Sequence, residues 1–262
     1  MAGDVLVLGY HALSPRWEAA LSIPPERLER QLQLLTQRGY ESVTFTEAAT
    51  AARSLTGGRR RRKLVAVTFD DGFKSVVEHG LGILSRAGFV ATVFVPTDFI
   101  GKASLDWPRL NRWLGQEQER ELTPMSSGDL SQLQRAGWEI ASHTCSHPRL
   151  TDLDDRRLGE ELRRSREVCS QLTGTPCTSI AYPYGAVDGR VAAATRQAGY
   201  LAGAALPSRI HRAHQYRWPR IGIWHRDEDW VFGAKLSPVR RRHLDLTTGS
   251  LSPLPRWRFV DD

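Results

Sequence analysis

Two adjacent carboxylates, Asp70 and Asp71, follow a run of mostly β-branched or apolar residues and precede Gly72 in LVAVTFDDG. Like charges side by side are costly unless a cation or a shared proton relieves them. Asp and Gly also populate ordinary turns, so this stretch alone does not establish chemistry. Farther on, His143 and His147 stand four apart in SHTCSH. On a helical turn that spacing presents both imidazoles on one face, suited to a single metal. Thr144 rather than Glu follows His143, so the HExxH pattern is absent. Joined to an aspartate, the pair makes a two-histidine, one-carboxylate set with positions left for water and substrate. Such a set is catalytic rather than structural. His11, and the run Tyr182-Pro183-Tyr184-Gly185, complete the residues of interest.

What places these groups is a series of strands, each ending just before one of them. Apolar or β-branched runs predict strands over 5–8, 42–45, 64–69, 90–95, 138–141, 178–181, 200–204 and 221–224. The run 90–95 is almost wholly apolar, as in a sheet covered on both faces. Leu28, Leu32 and Leu35 recur at helical spacing and predict a helix over 26–38, closed by Gly39. Further helices are predicted over 46–53, 74–87, 126–136, 154–172, 188–198 and 232–242. The segment 107–123 reads as a polar insertion, 209–220 as a basic loop and 237–262 as an irregular, Pro-rich tail. Strands and helices alternate throughout, which predicts one parallel α/β domain over 1–262. In such folds functional groups gather at the C-terminal strand ends, where His11, Asp70-Asp71, His143…His147 and 182–185 all fall.

The chain of 262 residues is 40% hydrophobic and 25% charged, enough for a sizeable core. A net charge of +7 favours an anionic partner without choosing one. The basic run 57–63 is expected to be a solvated loop, and nucleic acid is not the expected partner. Three cysteines without a CxxC pair argue against a disulfide framework and fit a reducing compartment. No segment approaches a membrane span. The N-terminal MAGDVLVLGYHALS lacks a basic region and a long apolar stretch. The expectation is therefore a cytoplasmic protein, or a secreted one if a leader has been removed.

Thr68–Gly72 (TFDDG), Ser142–His147 (SHTCSH) and Ala181–Gly185 (AYPYG) resemble, in order and spacing, the first three motifs of the carbohydrate esterase family 4 polysaccharide deacetylases, the NodB-homology fold. The resemblance runs from about residue 5 to 236. It implies a distorted (β/α)7 barrel that hydrolyses an N-acetyl group from an N-acetylated carbohydrate. It assigns a divalent metal, usually zinc, to Asp71, His143 and His147, and makes Asp70 the general base. Tyr184, after Pro183, would give its backbone N–H to the oxyanion.

Two departures stand out. Ala181 occupies the place where the family carries the Arg that pairs with its base; Arg220, in WPRIGI, is the alternative source of that charge. A late Leu-x-His motif for the general acid is not evident, since His225 and His243 lie in poor context. The Tyr10-His11 pair resembles the branch typified by poly-N-acetylglucosamine deacetylases, and His11 becomes the expected acid. Asp227-Glu228-Asp229-Trp230 weakly resembles the fourth motif, whose Trp lines the acetyl pocket; a helix N-terminus rich in acids is the reading slightly favoured. Tryptophans are more often core than sugar platforms, with Trp107 and Trp224 the candidates to line a cleft, and Cys145 is expected as a packed thiol pointing away from the metal face. The rival readings are an amidase or deformylase on a small lipid- or nucleotide-linked amino sugar, and a carbohydrate-binding barrel without turnover.

Overall fold

A computed structural model describes residues 5–54, 62–206 and 214–237. In chain order the elements are β1 (Val5–Tyr10), β2 (Ala12–Leu13), β3 (Ser22–Ile23), α1 (Pro25–Gln37), β4 (Tyr40–Ser42), α2 (Phe45–Ser54) and β5 (Lys63–Phe69). A π-helical turn, Val76–Gly80, runs into α3 (Leu81–Arg86). Then come β6 (Ala91–Val95), α4 (Ser127–Arg135), β7 (Glu139–Ser142), α5 (Asp155–Thr173), β8 (Ser179–Ala181) and α6 (Gly189–Gln197). β9 (Ala202–Ala205), β10 (Trp218–Pro219), β11 (Ile221–Gly222) and α7 (Asp229–Lys235) complete the order.

The strands pair in parallel in the order β10-β9-β8-β7-β6-β5-β1-β11, with β4 beside the first half of β5. The two ends of this order, β10 and β11, are separated in the chain by Arg220 alone. The sheet therefore curls into a nearly closed barrel, and the expected distorted barrel is present. Parallel strands need crossover connections, and the helices that supply them cover the sheet. The strands are accordingly buried: Val65, Ala66 and Val67 of β5 and Val93 and Phe94 of β6 have no exposed surface. α1 turns Leu28, Leu32 and Leu35 inward.

Several boundaries depart from the sequence reading, each for a local reason. The strand expected over 42–45 stops at Ser42, and Phe45 opens α2 instead. Thr44 and Glu47 make reciprocal hydrogen bonds there: the Thr44 N–H donates to the Glu47 carboxylate and the Glu47 N–H to Thr44 Oγ1. The helix expected over 74–87 is broken into the π-turn and α3. Trp218–Pro219 is a strand rather than loop. Proline is tolerated because β10 ends the strand order and its other edge needs no donor. α7 begins at Asp229, earlier than expected. The continuation of that helix past 237, the tail, His243 and residues 57–61 of the basic run lie outside the described residues. Of that run, Arg62 pairs with Glu41 and Lys63 opens β5. The insertion is irregular, with short 3-10 turns at Asn111–Trp113 and Glu117–Leu122. All three cysteines are free and buried. Among the described residues no helix is long and apolar enough to cross a membrane.

Candidate active site

β5 delivers the two carboxylates into the barrel mouth in different directions. The Asp70 backbone N–H donates to the Tyr10 carbonyl, tying the end of β5 to β1. The next two residues take left-handed backbone, Asp71 at φ 70° and Gly72 at φ 66°. A Cβ on Gly72 would lie 3.1 Å from the Val95 side chain, so both the angle and the space call for glycine. Both aspartates are buried, 3% and 4% exposed.

Asp70 faces Arg220. The guanidinium forks onto the carboxylate, Nη1 to Oδ1 at 2.6 Å and Nη2 to Oδ2 at 2.7 Å. It also donates to Thr68 Oγ1 at 3.1 Å and to the Ala205 carbonyl at 3.4 Å, and lies 5.5 Å from the Phe94 ring centroid. Arg220 is only 2% exposed. Because it sits where β10 passes into β11, closing the barrel is what brings it across to β5. Burial alone would raise the Asp70 pKa; the Arg220 charge, with His143 and His11, outweighs it and holds Asp70 below the usual carboxylate range.

Asp71 faces the histidines. Its Oδ1 lies 3.3 Å from His143 Nε2 and 3.2 Å from His147 Nε2. His143 Nδ1 is 2.8 Å from the Ala181 carbonyl, which can only accept, so Nδ1 carries the proton and Nε2 of the neutral ring is a bare lone pair. Three lone-pair donors thus converge in a buried place, all within 4.8 Å of one another. Two imidazoles and one carboxylate, oriented from behind by a carbonyl, fit a divalent cation such as zinc.

The histidines do not lie on a helical turn. Residues 143–147 form a loop in which Thr144 (φ 69°) and His147 (φ 59°) are left-handed. Local hydrogen bonds hold this shape. Ser142 Oγ accepts the Thr144 N–H, and Thr144 Oγ1 accepts the His147 N–H. Glu161 on α5 accepts the N–H groups of Cys145 and Ser146 and the Ser146 hydroxyl. The Cys145 thiol donates to the Glu161 carbonyl, and burial pushes its pKa up to about 11.

His11 Nε2 stands 4.0 Å from Asp70 Oδ2. Its ring stacks on Trp224, centroids 5.4 Å apart. Trp224 is fixed in turn by Asp227, whose Oδ2 accepts the Trp224 N–H at 2.8 Å and pairs with Lys235 of α7 at 2.5 Å. Burial lowers the His11 pKa against the pull of Asp71 and Asp70. On the opposite flank Trp107 stacks on His147 at 4.1 Å, and the Tyr184 ring meets His147 edge-on at 4.8 Å. Pro183 is buried beneath, and Tyr184 is left-handed at φ 59°. Arg109 and Arg149 lie over the Tyr184 ring. Trp230 stands apart from this group: it is 68% exposed on the first turn of α7. The acidic stretch 227–230 serves that helix start, and its buried member is Asp227. His225 lies on β3, its Nδ1 against the Ser22 carbonyl. Glu161, Arg109 and Arg149 carry no motif that points to them; only their positions, on α5, the insertion and the loop past His147, reveal their contacts. Asp227 lies in the motif-like run before α7, but its contact with Trp224 shows only in the structure.

A nearly closed parallel barrel with a cation-ready donor set beside an arginine-paired carboxylate has the outline of a barrel metallohydrolase. The polysaccharide deacetylase family profile matches residues 57–203, and the chain belongs to that family. It is 26% identical over 198 residues to YxkH of Bacillus subtilis (strain 168), covering 75% of this chain and 62% of that protein. The chain thus spans somewhat less than two thirds of that relative. It is 22% identical over 213 residues to the poly-beta-1,6-N-acetyl-D-glucosamine N-deacetylase of Staphylococcus aureus (strain MSSA476), covering 77% and 68%. The Streptococcus pyogenes deacetylase PplD, solved in complex with acetate, shares the fold at TM-score 0.74 and 20% identity, over 91% of this chain and all of that one.

Proposed function

We propose that this chain is a metal-dependent de-N-acetylase of an N-acetylhexosamine-containing glycan, with zinc held by Asp71, His143 and His147. The observation that carries the reading is the division of labour between adjacent carboxylates. Asp71 faces two imidazole nitrogens, while Asp70, next to it, is forked by Arg220. When bound, the cation polarises the amide carbonyl and acidifies water.

The chain's own residues do the rest. Asp70, kept ionised by Arg220, takes the proton of the attacking water. The Tyr184 backbone N–H, with Pro183 setting its turn, faces the oxygen that gains charge as water adds to the acetyl carbon. His11, across the site from Trp107, hands a proton to the amine nitrogen as the C–N bond breaks. Amide and water become amine and acetate, with no other reactant. Trp107 and Trp224 brace His147 and His11 and wall the cleft. Membership of the polysaccharide deacetylase family and similarity to a poly-N-acetylglucosamine deacetylase support a polymeric substrate over a small one. A barrel that only bound sugar would have no use for the Asp70–Arg220 pair.

The test is acetate release from chitooligosaccharides and a peptidoglycan fragment by zinc-loaded protein, with and without chelator. Release should stop with chelator and return with zinc. Zinc should also raise the melting temperature of the wild type and not of Asp71→Asn. Chelator-insensitive release, or an equal zinc-induced shift in Asp71→Asn, would count against the assignment.

A further inference from the structure

The loop that carries the two histidines is fastened from behind by α5. Every backbone N–H from His143 to His147 has an acceptor. That of His143 donates to the Val95 carbonyl, that of Thr144 to Ser142 Oγ and that of His147 to Thr144 Oγ1. The other two, of Cys145 and Ser146, converge on Glu161 Oε2 at 2.7 and 3.1 Å. Glu161 Oε1 accepts the Ser146 hydroxyl at 2.6 Å. Successive N–H groups beside left-handed residues form a concavity suited to an anion, and the Glu161 carboxylate fills it.

α5 is a firm mount. It runs from the capping Asp154 to Gly174 and buries Leu158, Leu162, Ser165 and Cys169. Ser165, one turn after Glu161, accepts the Ser142 hydroxyl at 2.8 Å. The helix thus holds the chain on both sides of His143. Left-handed backbone at Thr144 and His147 is unfavourable by itself and persists only while such bonds hold it. Without the Glu161 carboxylate, the N–H of Cys145, a residue 2% exposed, would lose its acceptor. The loop would then spend part of its time in conformations where His143 and His147 no longer meet Asp71. A cation binds only the competent fraction, so its apparent affinity falls in proportion.

We propose that Glu161 is a positioning residue for the metal site: seated in the backbone concavity behind the His143–His147 loop, it keeps both imidazoles converged on Asp71 before any cation binds. The proposal rests on the reading of Asp71, His143 and His147 as metal ligands, and adds a residue that acts through the loop alone.

The experiment measures zinc dissociation constants of the full chain by competition with a chromogenic chelator. Glu161→Asp keeps the charge but falls one methylene short of the loop. Glu161→Gln loses the charge but still offers an oxygen to the Cys145 and Ser146 N–H groups. Glu161→Asp and Glu161→Ala should bind zinc about tenfold or more weaker than wild type, as loss of an outer partner of a metal ligand does, and Glu161→Gln should stay within about threefold of wild type. Wild-type affinity in Glu161→Asp, or a Glu161→Gln no tighter than Glu161→Asp, would overturn the proposal. A second readout needs no metal. All three cysteines are buried, but Cys145 lies in the loop, whereas Cys169 and Cys177 pack in the main core. Alkylation of the metal-free protein, read peptide by peptide by mass spectrometry, should run roughly tenfold faster at Cys145 in Glu161→Asp than in wild type, with Cys169 and Cys177 unchanged. An unchanged Cys145 rate, or a parallel rise at all three cysteines, would overturn the positioning role. If the wild type binds no zinc, the metal reading fails by itself, and the Cys145 rates alone decide whether Glu161 holds the loop.

Discussion

Replacing Arg220 by alanine probes the feature on which the proposed chemistry depends. The side chain is 2% exposed and neutralises a carboxylate that is 3% exposed. Removing it strands Asp70 as a buried charge without its fork, and breaking a buried pair in that way costs about 3–5 kcal/mol. It also deletes the bonds to Thr68 and Ala205 and the contact with Phe94. Burial, opposed now only by the charges of His143 and His11, is expected to push the Asp70 pKa from below the usual carboxylate range to above it. Two signs follow. In the wild type a depressed carboxyl contributes stability that is present above the unfolded pKa and lost as pH falls through the folded one. In Arg220→Ala the raised carboxyl reverses this, so stability falls as pH rises from the unfolded pKa to the folded one. The acid limb of kcat/KM, which reports the base, moves to higher pH, and turnover at neutral pH drops on the order of a hundredfold or more. Chemical denaturation of Arg220→Ala, Asp70→Asn and the double variant forms a cycle. Asp70→Asn removes the charge that Arg220 relieves, so the double variant should be more stable than the sum of the singles by about 1–3 kcal/mol. Additivity within about 0.5 kcal/mol, or an unmoved acid limb, would refute the reasoning.

Two further perturbations separate chemistry from scaffold. His11→Ala should lower turnover on the order of a hundredfold or more while bound zinc, measured by elemental analysis, stays unchanged; normal turnover rejects His11 as the acid. Glu139→Ala acts at the opposite end of the barrel. There one carboxylate accepts the Thr46 N–H and the hydroxyls of Thr46, Thr92 and Ser179, joining α2, β6, β7 and β8. Its loss should cost about 2–4 kcal/mol in denaturant stability, with kcat/KM at low temperature nearly unchanged.

The parts legible in the sequence were those whose cause is local. An almost wholly apolar, β-branched-rich run such as 90–95 suits a strand covered on both faces, and β6 begins within one residue of that reading. Leu28, Leu32 and Leu35 mark the buried face of α1. The failures come where one pattern has two local solutions, or where the partner is far away. A four-residue His spacing suits a helical turn and equally a loop with two left-handed residues, and residue types do not favour φ 69° at a β-branched Thr144. Phe45 suits a strand by type, but the Thr44–Glu47 cap outweighs it. Trp230 sits in a motif-like run, yet α7 takes that run for its first turn and leaves the indole in solvent. The pairing of Arg220 with Asp70 spans 150 positions and exists only because the barrel closes. Arg109 and Arg149 meet on Tyr184 because they follow β6, β7 and β8, which are neighbours in the sheet though far apart in the chain.

Backbone strain points to the same place without any reference to motifs. Among the described residues, the non-glycine positions with left-handed backbone are Asp71, Thr144, His147 and Tyr184. Such conformations cost about 1–3 kcal/mol each and persist where surrounding structure over-determines them. Here the over-determination can be named: the β5–β1 bond at Asp70, the Ser142 and Thr144 hydroxyls, and the three bonds gathered by Glu161. A strand that simply ran on would alternate its side chains across the sheet and send neighbouring residues to opposite faces. Left-handed turns at the strand ends let successive residues serve one mouth instead, Asp70 toward Arg220 and Asp71 toward the histidines. The strain therefore falls on the positions that must hold donors at fixed separations, and the barrel's parallel core provides the stability that offsets it.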